Sequence, residues 1–519
     1  MQGNRHLRLA IPAIACTIAV GLVAAASVQA ASYTTTGAWT FTSEPNLHPP
    51  RLRNAGPAGA RGLAPGYFLI ANFKNATLTA PQVGQGGPLI LDSTLAPVWF
   101  HPVASNLSAT NLRTQTYHGK PVLTWWQGTI TNTGATTSGT NIVVDQHYKV
   151  VATLNGTGGW VLSPHEFLIN GSNAWVTAYK VVGPMNLSAF GGSAQGFLLD
   201  SAVQEYSLRT GRLLYTWDIK DHVSLADSET HAPPLPTVAW DAYHVNSIQL
   251  IGSTRFLTSM RNTWAAYMVN TATNGVEWTL GGKASTFTLP ATAQFAWQHD
   301  VELHGGNEIS MFDDACCNIT ATGFGPPLGP SRGLVLALNT SAHTGTVIHE
   351  YTHGAGFNAA FLGNTQLLAN GNVLVGWGSK PNFSEFSKNG QLLFDGVLPG
   401  PDVSYRAFSS TWTATPSVPP AGAARRSGGR DTVYASWDGA TSVVSWRVLA
   451  GADSTHLTSV AVRARSGFET AIRLKKTYRV FTIQALDGKG RTLGTSRQFA
   501  SVRSGGGAGT PKVCFYPPC

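Results

Sequence analysis

The sequence predicts an all-β protein, a six-bladed β-propeller followed by a small β-sandwich domain. Charged residues make up only 12% of the 519 residues, while glycine, the residue of tight turns, occurs 56 times. No long stretch shows the 3.6-residue apolar period of an amphipathic helix. One pattern of strands and turns recurs six times in the first four hundred residues, with copies roughly 50 to 80 residues apart.

The N-terminal segment, residues 1–30, has the layout of a secretory signal peptide. Arg5 and Arg8 precede an almost continuous apolar run over residues 11–26, and small residues before position 31 offer a cleavage site. No later stretch reaches the roughly 18 apolar residues that span a bilayer. We therefore expect the mature chain to be secreted.

The repeats predict the propeller over residues 31–412. Each copy holds a strand, a hairpin turn of TG or NG type, and another strand. The copies are clearest at 211–218, 275–282, 345–353 and 390–396, with looser ones at 88–100 and 141–154. A four-stranded sheet alone leaves two apolar faces uncovered, whereas six sheets arranged radially bury those faces against one another.

The C-terminal part has a different composition. Residues 413–430 are rich in Pro, Gly and Arg, which is typical of a linker. Alternating apolar and polar residues over 431–505 predict a β-sandwich of fibronectin type III kind. Residues 506–519 form a tail in which we expect Cys514 and Cys519 to close a loop, leaving the adjacent Cys316 and Cys317 to bond each other in an oxidising compartment.

Charge is divided unevenly along the chain. The formal net charge is +9, yet residues 413–519 hold 15 Lys and Arg against 5 Asp and Glu. Such a basic domain attracts polyanions. We expect it to bind anionic polymers of the cell surface and to hold the secreted protein at the cell wall, and we expect no nucleic acid as a partner.

Three histidines occupy one position in three consecutive copies. His165, His244 and His299 each precede an alternating run, and Asn358 takes that position in the sixth copy. Because the innermost strand of every blade starts beside the central channel, these side chains should converge there. Three histidines are also a zinc ligand set. However, Arg261, a short hairpin after His244, would repel a cation and suits an oxyanion instead.

The residues around these histidines resemble a known enzyme family. HVNSI (244–248), SMRNTWAAYMVNTATNGVEWTLGG (259–282), FAWQHDVEL with ISMFDD after it (295–314), and SYRAF with Trp412 resemble the arylsulfotransferases that work without phosphoadenosine phosphosulfate, in the branch found in actinobacteria and fungi. The resemblance covers residues 33–412. It implies a six-bladed propeller without a cofactor that moves a sulfuryl group from a small-molecule aryl sulfate to a phenol, in a ping-pong reaction through a sulfohistidine.

The resemblance also implies roles for individual residues. By motif position His299 is the nucleophile, and His244, Arg261 and His165 hold and polarise the sulfuryl group. Asn246, two residues after His244, is expected to line the same pocket, as is Asn358 from its repeat position.

Two other interpretations stay open. A secreted propeller of this shape could serve only as a binding or adhesion module. A quinoprotein dehydrogenase is the third interpretation, because TATNGVEWTLGG (271–282) resembles the turn and tryptophan of such blades. Those enzymes usually need more blades, and the sequence contains no CxxCH haem motif.

Overall fold

The computed structural model describes residues 33–58, 61–75, 77–131, 136–320 and 323–503. The predicted signal peptide and the predicted Cys514–Cys519 loop lie outside these ranges. The described chain consists of strands and short 3₁₀ helices, and none of its helices is long and apolar enough to cross a membrane. The 3₁₀ helices are Ser188–Phe190, Ile219–Asp221, Leu225–Asp227, Arg261–Thr263, Ala291–Ala293 and Gly305–Asn307.

Six antiparallel sheets, each with a core of four strands, account for most of the described chain before residue 412. In spatial order, sheet one holds Asp402–Ser410, Tyr67–Lys74, Gly87–Leu91 and Pro97–Phe100; sheet two holds Ser108–Tyr117, Lys120–Ile130, Thr136–Val144 and Val150–Asn155; sheet three holds Val161–Asn170, Asn173–Met185, Gly196–Ser207 and Leu213–Asp218. Sheet four holds Val245–Ile251, Arg255–Met260, Ala265–Asn270 and Val276–Gly281; sheet five holds His299–Leu303, Glu308–Asp313, Arg332–Asn339 and Thr344–Thr352; sheet six holds Asn364–Leu367, Val373–Gly376, Asn382–Phe386 and Leu392–Val397.

Six further short strands extend or accompany these sheets. Ala239–Trp240 pairs in parallel with sheet three, and Arg53–Asn54 pairs with the last strand of sheet six. Tyr33–Thr34 pairs with Gln82–Val83, and Ile319–Thr320 forms a hairpin with Gly323–Phe324.

The first strands of consecutive sheets contact one another in a closed circle. The circle closes through Asp402–Ser410, which contacts the first strand of sheet six on one side and that of sheet two on the other. This strand pairs with Tyr67–Lys74, more than 300 positions earlier in the chain. The N-terminal and C-terminal ends of the repeat region are therefore fixed in one sheet.

A separate hydrophobic cluster fills the space between each pair of neighbouring sheets. Trp217 and Phe256, for example, belong to the cluster between sheets three and four, and Phe312 and Val375 to the one between sheets five and six. Each sheet carries apolar residues on both faces, and packing against a neighbouring sheet on each side buries both of them.

Glutamine side chains join alternate pairs of sheets near their first strands. Gln249 Nε2 donates to the carbonyl oxygen of Leu303 at 2.9 Å, and its Oε1 accepts from the Leu303 N–H at 2.7 Å. Gln115 and Gln366 form equivalent pairs of bonds to the next sheet in the circle. These amides satisfy backbone groups at the edge of the next sheet, which would otherwise lack partners.

Two more four-stranded sheets form the C-terminal part. One holds Glu469–Arg473, Arg430–Ser436, Ala421–Ser427 and Ser501–Arg503, and the other Leu457–Ala464, Ser445–Gly451, Val480–Leu486 and Thr492–Thr495. Residues from both, including Val433 and Phe481, share one hydrophobic cluster around Trp446.

The segment predicted as a linker, residues 413–430, is structured in part. Ala421–Ser427 pairs with Arg430–Ser436 along its whole length. The C-terminal sheets are also tied to the repeat region, since Tyr148 Oη donates to the Gly439 carbonyl at 2.9 Å and the Phe100 N–H donates to Asp438 at 3.0 Å. The composition of this segment predicts a flexible linker, but residues 421–427 pair with the strand that follows them in the chain.

Candidate active site

The three histidines singled out in the sequence lie together. His165 lies in the first strand of sheet three, His244 directly before the first strand of sheet four, and His299 opens sheet five. The ring of His165 is 5.0 Å from that of His244 and 6.3 Å from that of His299, measured between centroids. The circular contact of the first strands brings these three side chains to one point.

Arg261 joins the histidines because it follows the second strand of sheet four. Its backbone N–H donates to the His244 carbonyl at 3.0 Å. Its guanidinium donates to Asn262 Oδ1 and to the Ala360 carbonyl, both at 3.1 Å, and stacks over the Trp297 ring at 4.4 Å. The buried Nε has no hydrogen-bond partner among the described residues. An arginine held in this way has a donor left for a ligand.

His299 is fully buried and is oriented by a carboxylate. Its Nδ1 lies 2.7 Å from Oδ2 of Asp314, and its Nε2 has no hydrogen-bond partner in the described part of the chain. Burial and the positive charge of Arg261 hold the pKa of His299 well below its ordinary value. Burial raises the pKa of the Asp314 carboxyl, and the charge of Arg261 opposes that rise. Since a neutral imidazole carries one ring proton, a proton on Nδ1 toward Asp314 leaves a free electron pair on Nε2.

The other two histidines have different partners. His244 Nδ1 is bonded to Oδ2 of Asp241, and the two side chains are 20% and 28% exposed, so this pair communicates with solvent. His165 is buried, with its Nδ1 2.5 Å from Ser163 Oγ and 3.2 Å from Tyr179 Oη. Burial, followed by the positive charges of His244, Arg406 and Arg261, holds the pKa of His165 well below its ordinary value.

These residues line one cavity of about 290 Å³. The three histidines and Arg261 supply its basic groups, and Asn75, Thr77, Thr110, Thr131 and Tyr405 supply further polar groups. The remaining wall is mostly apolar and includes Phe73, Ile130, Phe324, Phe361, Leu362 and Val403. The cavity therefore combines donors for a small oxyanion with an apolar space large enough for an aromatic group.

The two asparagines predicted to bind substrate do not line this cavity. Asn246 is buried and donates to the Gln298 carbonyl at 2.7 Å, so it joins sheet four to sheet five. Asn358 donates to the carbonyls of Asp314 and Ala315, at 3.2 and 3.3 Å, and holds the segment that carries the partner of His299. The first strand of sheet six begins at residue 364, so Asn358 precedes the position equivalent to the histidines.

Three residues near the histidines were not predicted from the sequence. Tyr405 lines the cavity with its ring 5.3 Å from that of His165, and Asp241 and Asp314 orient two of the histidines. The sequence gives only weak signals for these three residues. Asp314 lies in the motif ISMFDD and Tyr405 in SYRAF, but no feature of a single sequence distinguishes a carboxylate that orients a histidine from one in a turn.

The cysteines next to Asp314 are bonded as predicted. Cys316 and Cys317 form a disulfide and are buried against Trp297. Trp297 Nε1 donates to the Cys317 carbonyl at 2.8 Å. Among the described residues, no group of three or more His, Cys, Asp or Glu is arranged to hold a metal ion.

Three histidines and an arginine that meet where the first strands of the six sheets form a circle offer hydrogen-bond donors to an oxyanion. Comparison of the sequence with family models is more specific. The model described as "Arylsulfotransferase (ASST)" matches residues 113–398, more than half of the chain. The chain belongs to the arylsulfotransferase (ASST) family, and the matched range contains His165, His244, Arg261, His299 and Asp314.

Other comparisons are less informative. No curated protein matches the sequence. Among solved structures, a protein of unknown function from Bacteroides caccae is 11% identical, with 66% of this chain and 98% of that chain covered and a TM-score of 0.38. Sqt1 of Saccharomyces cerevisiae is 10% identical, with 68% and 76% covered and a TM-score of 0.29. The propeller of Dos1 is 10% identical, with 67% and 80% covered and a TM-score of 0.29. At these scores the likeness says nothing about function.

Proposed function

We propose that this protein transfers a sulfuryl group from an aryl sulfate to a phenol through a covalent sulfohistidine at His299. Membership of the arylsulfotransferase family supports the activity. The observation that carries the assignment is His299 in the lining of the cavity, whose Nδ1 is held by Asp314 while its buried Nε2 has no hydrogen-bond partner among the described residues. A nucleophile oriented by a third group in this way is a recurrent arrangement in covalent catalysis.

In the first half of the reaction, the electron pair of His299 Nε2 attacks the sulfur of the donor. The S–N bond forms, the bond between sulfur and the aryl oxygen breaks, and the aryl oxide leaves with that electron pair. The sulfuryl oxygens carry negative charge throughout, and Arg261 offers a planar set of donors to them. When Ser163 donates to Nδ1 of His165, the ring proton of His165 lies on Nε2 and offers another donor.

In the second half, a phenol gives its proton to a base and attacks the same sulfur. The new S–O bond forms, the S–N bond breaks, and the electron pair returns to His299 Nε2. His244 serves as this base, because its Nδ1 is bonded to Asp241 and the partial exposure of both side chains lets the proton exchange with solvent. In the first half, the same protonated His244 can protonate the leaving aryl oxide.

The covalent intermediate is the direct test. Enzyme mixed with 4-nitrophenyl sulfate alone and quenched without acid should carry a sulfuryl group on the peptide that contains His299, and added phenol should remove it as a phenyl sulfate. His299→Ala should give no adduct and no transfer. An adduct on a tyrosine or on His244 would contradict the assignment. Binding of the donor with no adduct and no transfer would favour a binding module.

We further propose that the six sheets are the blades of a six-bladed β-propeller and that residues 431–505 form a sandwich of fibronectin type III kind. The closed circle of first strands and the hydrophobic cluster between each pair of neighbouring sheets support the propeller. The cluster shared by the two C-terminal sheets supports the sandwich. An experimental structure would test both.

We also propose that the protein is exported and that its C-terminal domain binds an anionic polymer of the cell wall. Arg463, Arg473, Lys475, Lys476 and Arg479 are exposed on this domain. Replacing Arg473, Lys475 and Lys476 by Glu should weaken binding of the full chain to isolated cell walls, and wild-type binding should fall as salt rises above 0.1 M. The same exchange at the exposed Lys120, Arg209 and Arg212 is the control. Equal binding by both variants would exclude this role.

A further inference from the structure

One large aromatic side chain at the cavity is exposed. Phe324 lines the cavity with the histidines and Arg261, yet 68% of it is accessible to solvent. It is the most exposed of the large hydrophobic residues that the structure describes. A phenylalanine in this position leaves apolar area that a ligand in the cavity can cover.

The backbone around Phe324 is fixed by local contacts. Phe324 pairs with Ile319 in a short hairpin. Beyond the hairpin, the Gly325 N–H donates to the Asn318 carbonyl at 2.8 Å, and the Asn318 N–H donates to the Pro326 carbonyl at 2.8 Å. The buried Cys316–Cys317 disulfide comes directly before this segment.

The ring of Phe324 is also connected to the polar end of the cavity. It meets the ring of Trp297 edge to face, with centroids 5.5 Å apart. Trp297 is fully buried, and the guanidinium of Arg261 lies over its ring, 4.4 Å from the centroid. Trp297 therefore connects the exposed Phe324 with the guanidinium of Arg261.

We propose that Phe324 is a specificity-determining residue that contacts the aromatic ring of the substrate on the part remote from the sulfuryl group. This inference rests on the proposed sulfuryl transfer. Besides Phe324, the described cavity lining includes the apolar residues Ile130, Phe361 and Leu362 and uncharged polar residues such as Asn75, Thr77 and Thr131, with no Lys, Asp or Glu. The site therefore favours uncharged, extended ring systems, because a larger ring covers more of Phe324 and benefits from ring–ring contact.

Two donors that differ in ring size test this role. 4-Nitrophenyl sulfate is monocyclic and 4-methylumbelliferyl sulfate is bicyclic. Phe324→Ala should raise KM for the bicyclic donor about 10-fold, the size of one lost aromatic contact. It should raise KM for the monocyclic donor less and leave kcat for both nearly unchanged. Phe324→Trp should retain the preference for the bicyclic donor, and Phe324→Leu should lose most of it.

Leu328→Ala is the matched control, because Leu328 is 49% exposed in the same segment but does not line the cavity. It should leave the ratio of kcat/KM for the two donors unchanged. A wild-type enzyme that forms no sulfuryl adduct would overturn the proposed function itself. A wild-type enzyme that forms the adduct, with a donor ratio unchanged in both Phe324→Ala and Phe324→Leu, would overturn only the role of Phe324.

Discussion

Oδ2 of Asp314 lies 2.7 Å from Nδ1 of His299, and both side chains are buried. The pairing of His299 with Phe312 across sheet five brings the end of the second strand next to the start of the first. Asp314 thereby holds the Nδ1 side of the imidazole, and the buried Nε2 has no hydrogen-bond partner among the described residues. Once Nε2 carries a sulfuryl group, the imidazole with its proton on Nδ1 is more positive, and the carboxylate stabilises it.

The first prediction concerns this pair. Asp314→Asn keeps the shape of the side chain but lets an amide N–H face Nδ1, which places the ring proton on Nε2 and removes the nucleophilic electron pair. The rate of sulfuryl labelling of His299 should fall about 10²- to 10⁴-fold. Rapid-quench mass spectrometry with 4-nitrophenyl sulfate measures this rate.

The neighbouring Asp313→Asn is the control. Asp313 accepts hydrogen bonds from Arg332 at 3.0 Å and from the Ala296 and Ala315 N–H groups. Asp313→Asn should therefore lower the melting temperature, while the rate of His299 labelling stays near that of wild type. Equal labelling by Asp314→Asn and wild type would show that the carboxylate does not orient the nucleophile.

The second prediction is that Arg261→Lys is not conservative. Arg261 donates to Asn262 Oδ1 and to the Ala360 carbonyl with two separate nitrogens of one planar group, and a lysine ammonium cannot reproduce that arrangement. Turnover should fall about 10²- to 10³-fold with little change in melting temperature. Arg332→Lys changes the same chemistry outside the cavity and should leave turnover near that of wild type. A lysine variant at position 261 with normal turnover would mean that charge alone suffices.

The third prediction follows from the low pKa of His299. Only the neutral imidazole attacks sulfur, and it is lost as pH falls through the folded-state pKa, which burial and Arg261 place well below 6.5. An ordinary imidazole would be about three-quarters protonated at pH 6. Labelling of His299 by 4-nitrophenyl sulfate, whose leaving group needs no acid, should therefore keep most of its pH 7.5 rate at pH 6. A midpoint near 6.5 would contradict the lowered pKa.

The sequence predicted the polar part of the cavity because of the repeats. His165, His244 and His299 occupy one repeat position, and a circular arrangement brings equal positions together, so their meeting required no knowledge of side-chain detail. Arg261 could be added because a short hairpin fixes its distance from His244. These predictions use only local spacing and symmetry.

The residues that the sequence did not predict depend on contacts between distant parts of the chain. Tyr405 lies beside His165 because its strand, Asp402–Ser410, pairs with Tyr67–Lys74 and closes the circle of sheets. The sequence of neither strand indicates this pairing. Asn358 was misplaced because the first strand of sheet six begins six residues after it, whereas His299 opens its strand and His244 directly precedes one. Similarly, Ala421–Ser427 has the composition of a linker, and its pairing with the adjacent strand decides its structure.

The fourth prediction concerns stability as a function of pH. Burial and the charge of Asp300 raise the pKa of Glu302 to about 7. Below the unfolded-state value near 4.5 both states are protonated and the group has no effect. Between about 4.5 and 7 the unfolded state ionises while the folded state still holds its proton, so stability falls over this range and stays lower above pH 7. Glu302→Gln should raise the melting temperature by a few degrees at pH 8 and hardly at pH 4.5. The exposed Glu308→Gln should show no such difference, and a stabilisation of Glu302→Gln that is equal at both pH values would argue against ionisation as its cause.

The last prediction concerns the junction between the repeat region and the C-terminal sheets. Gly439 has a φ of +85°, and a Cβ there would overlap the ring of Tyr148. That ring stacks on Trp99, and its hydroxyl donates to the Gly439 carbonyl and accepts from Trp412 Nε1 at 3.0 Å. Gly439→Ala should therefore cost about 1–3 kcal/mol of stability from overlap, beyond the strain of a positive φ.

Gly490→Ala separates these two effects. Gly490 has a φ of +74° in the same domain, and no atom lies within 4 Å of the position of its Cβ. Calorimetry of the two full-length variants should show the larger loss for Gly439→Ala, while turnover with 4-nitrophenyl sulfate stays near that of wild type in both, because the active-site cavity includes neither Tyr148 nor Gly439. Equal melting temperatures would mean that the C-terminal sheets move independently of the repeat region, as a flexible linker would allow.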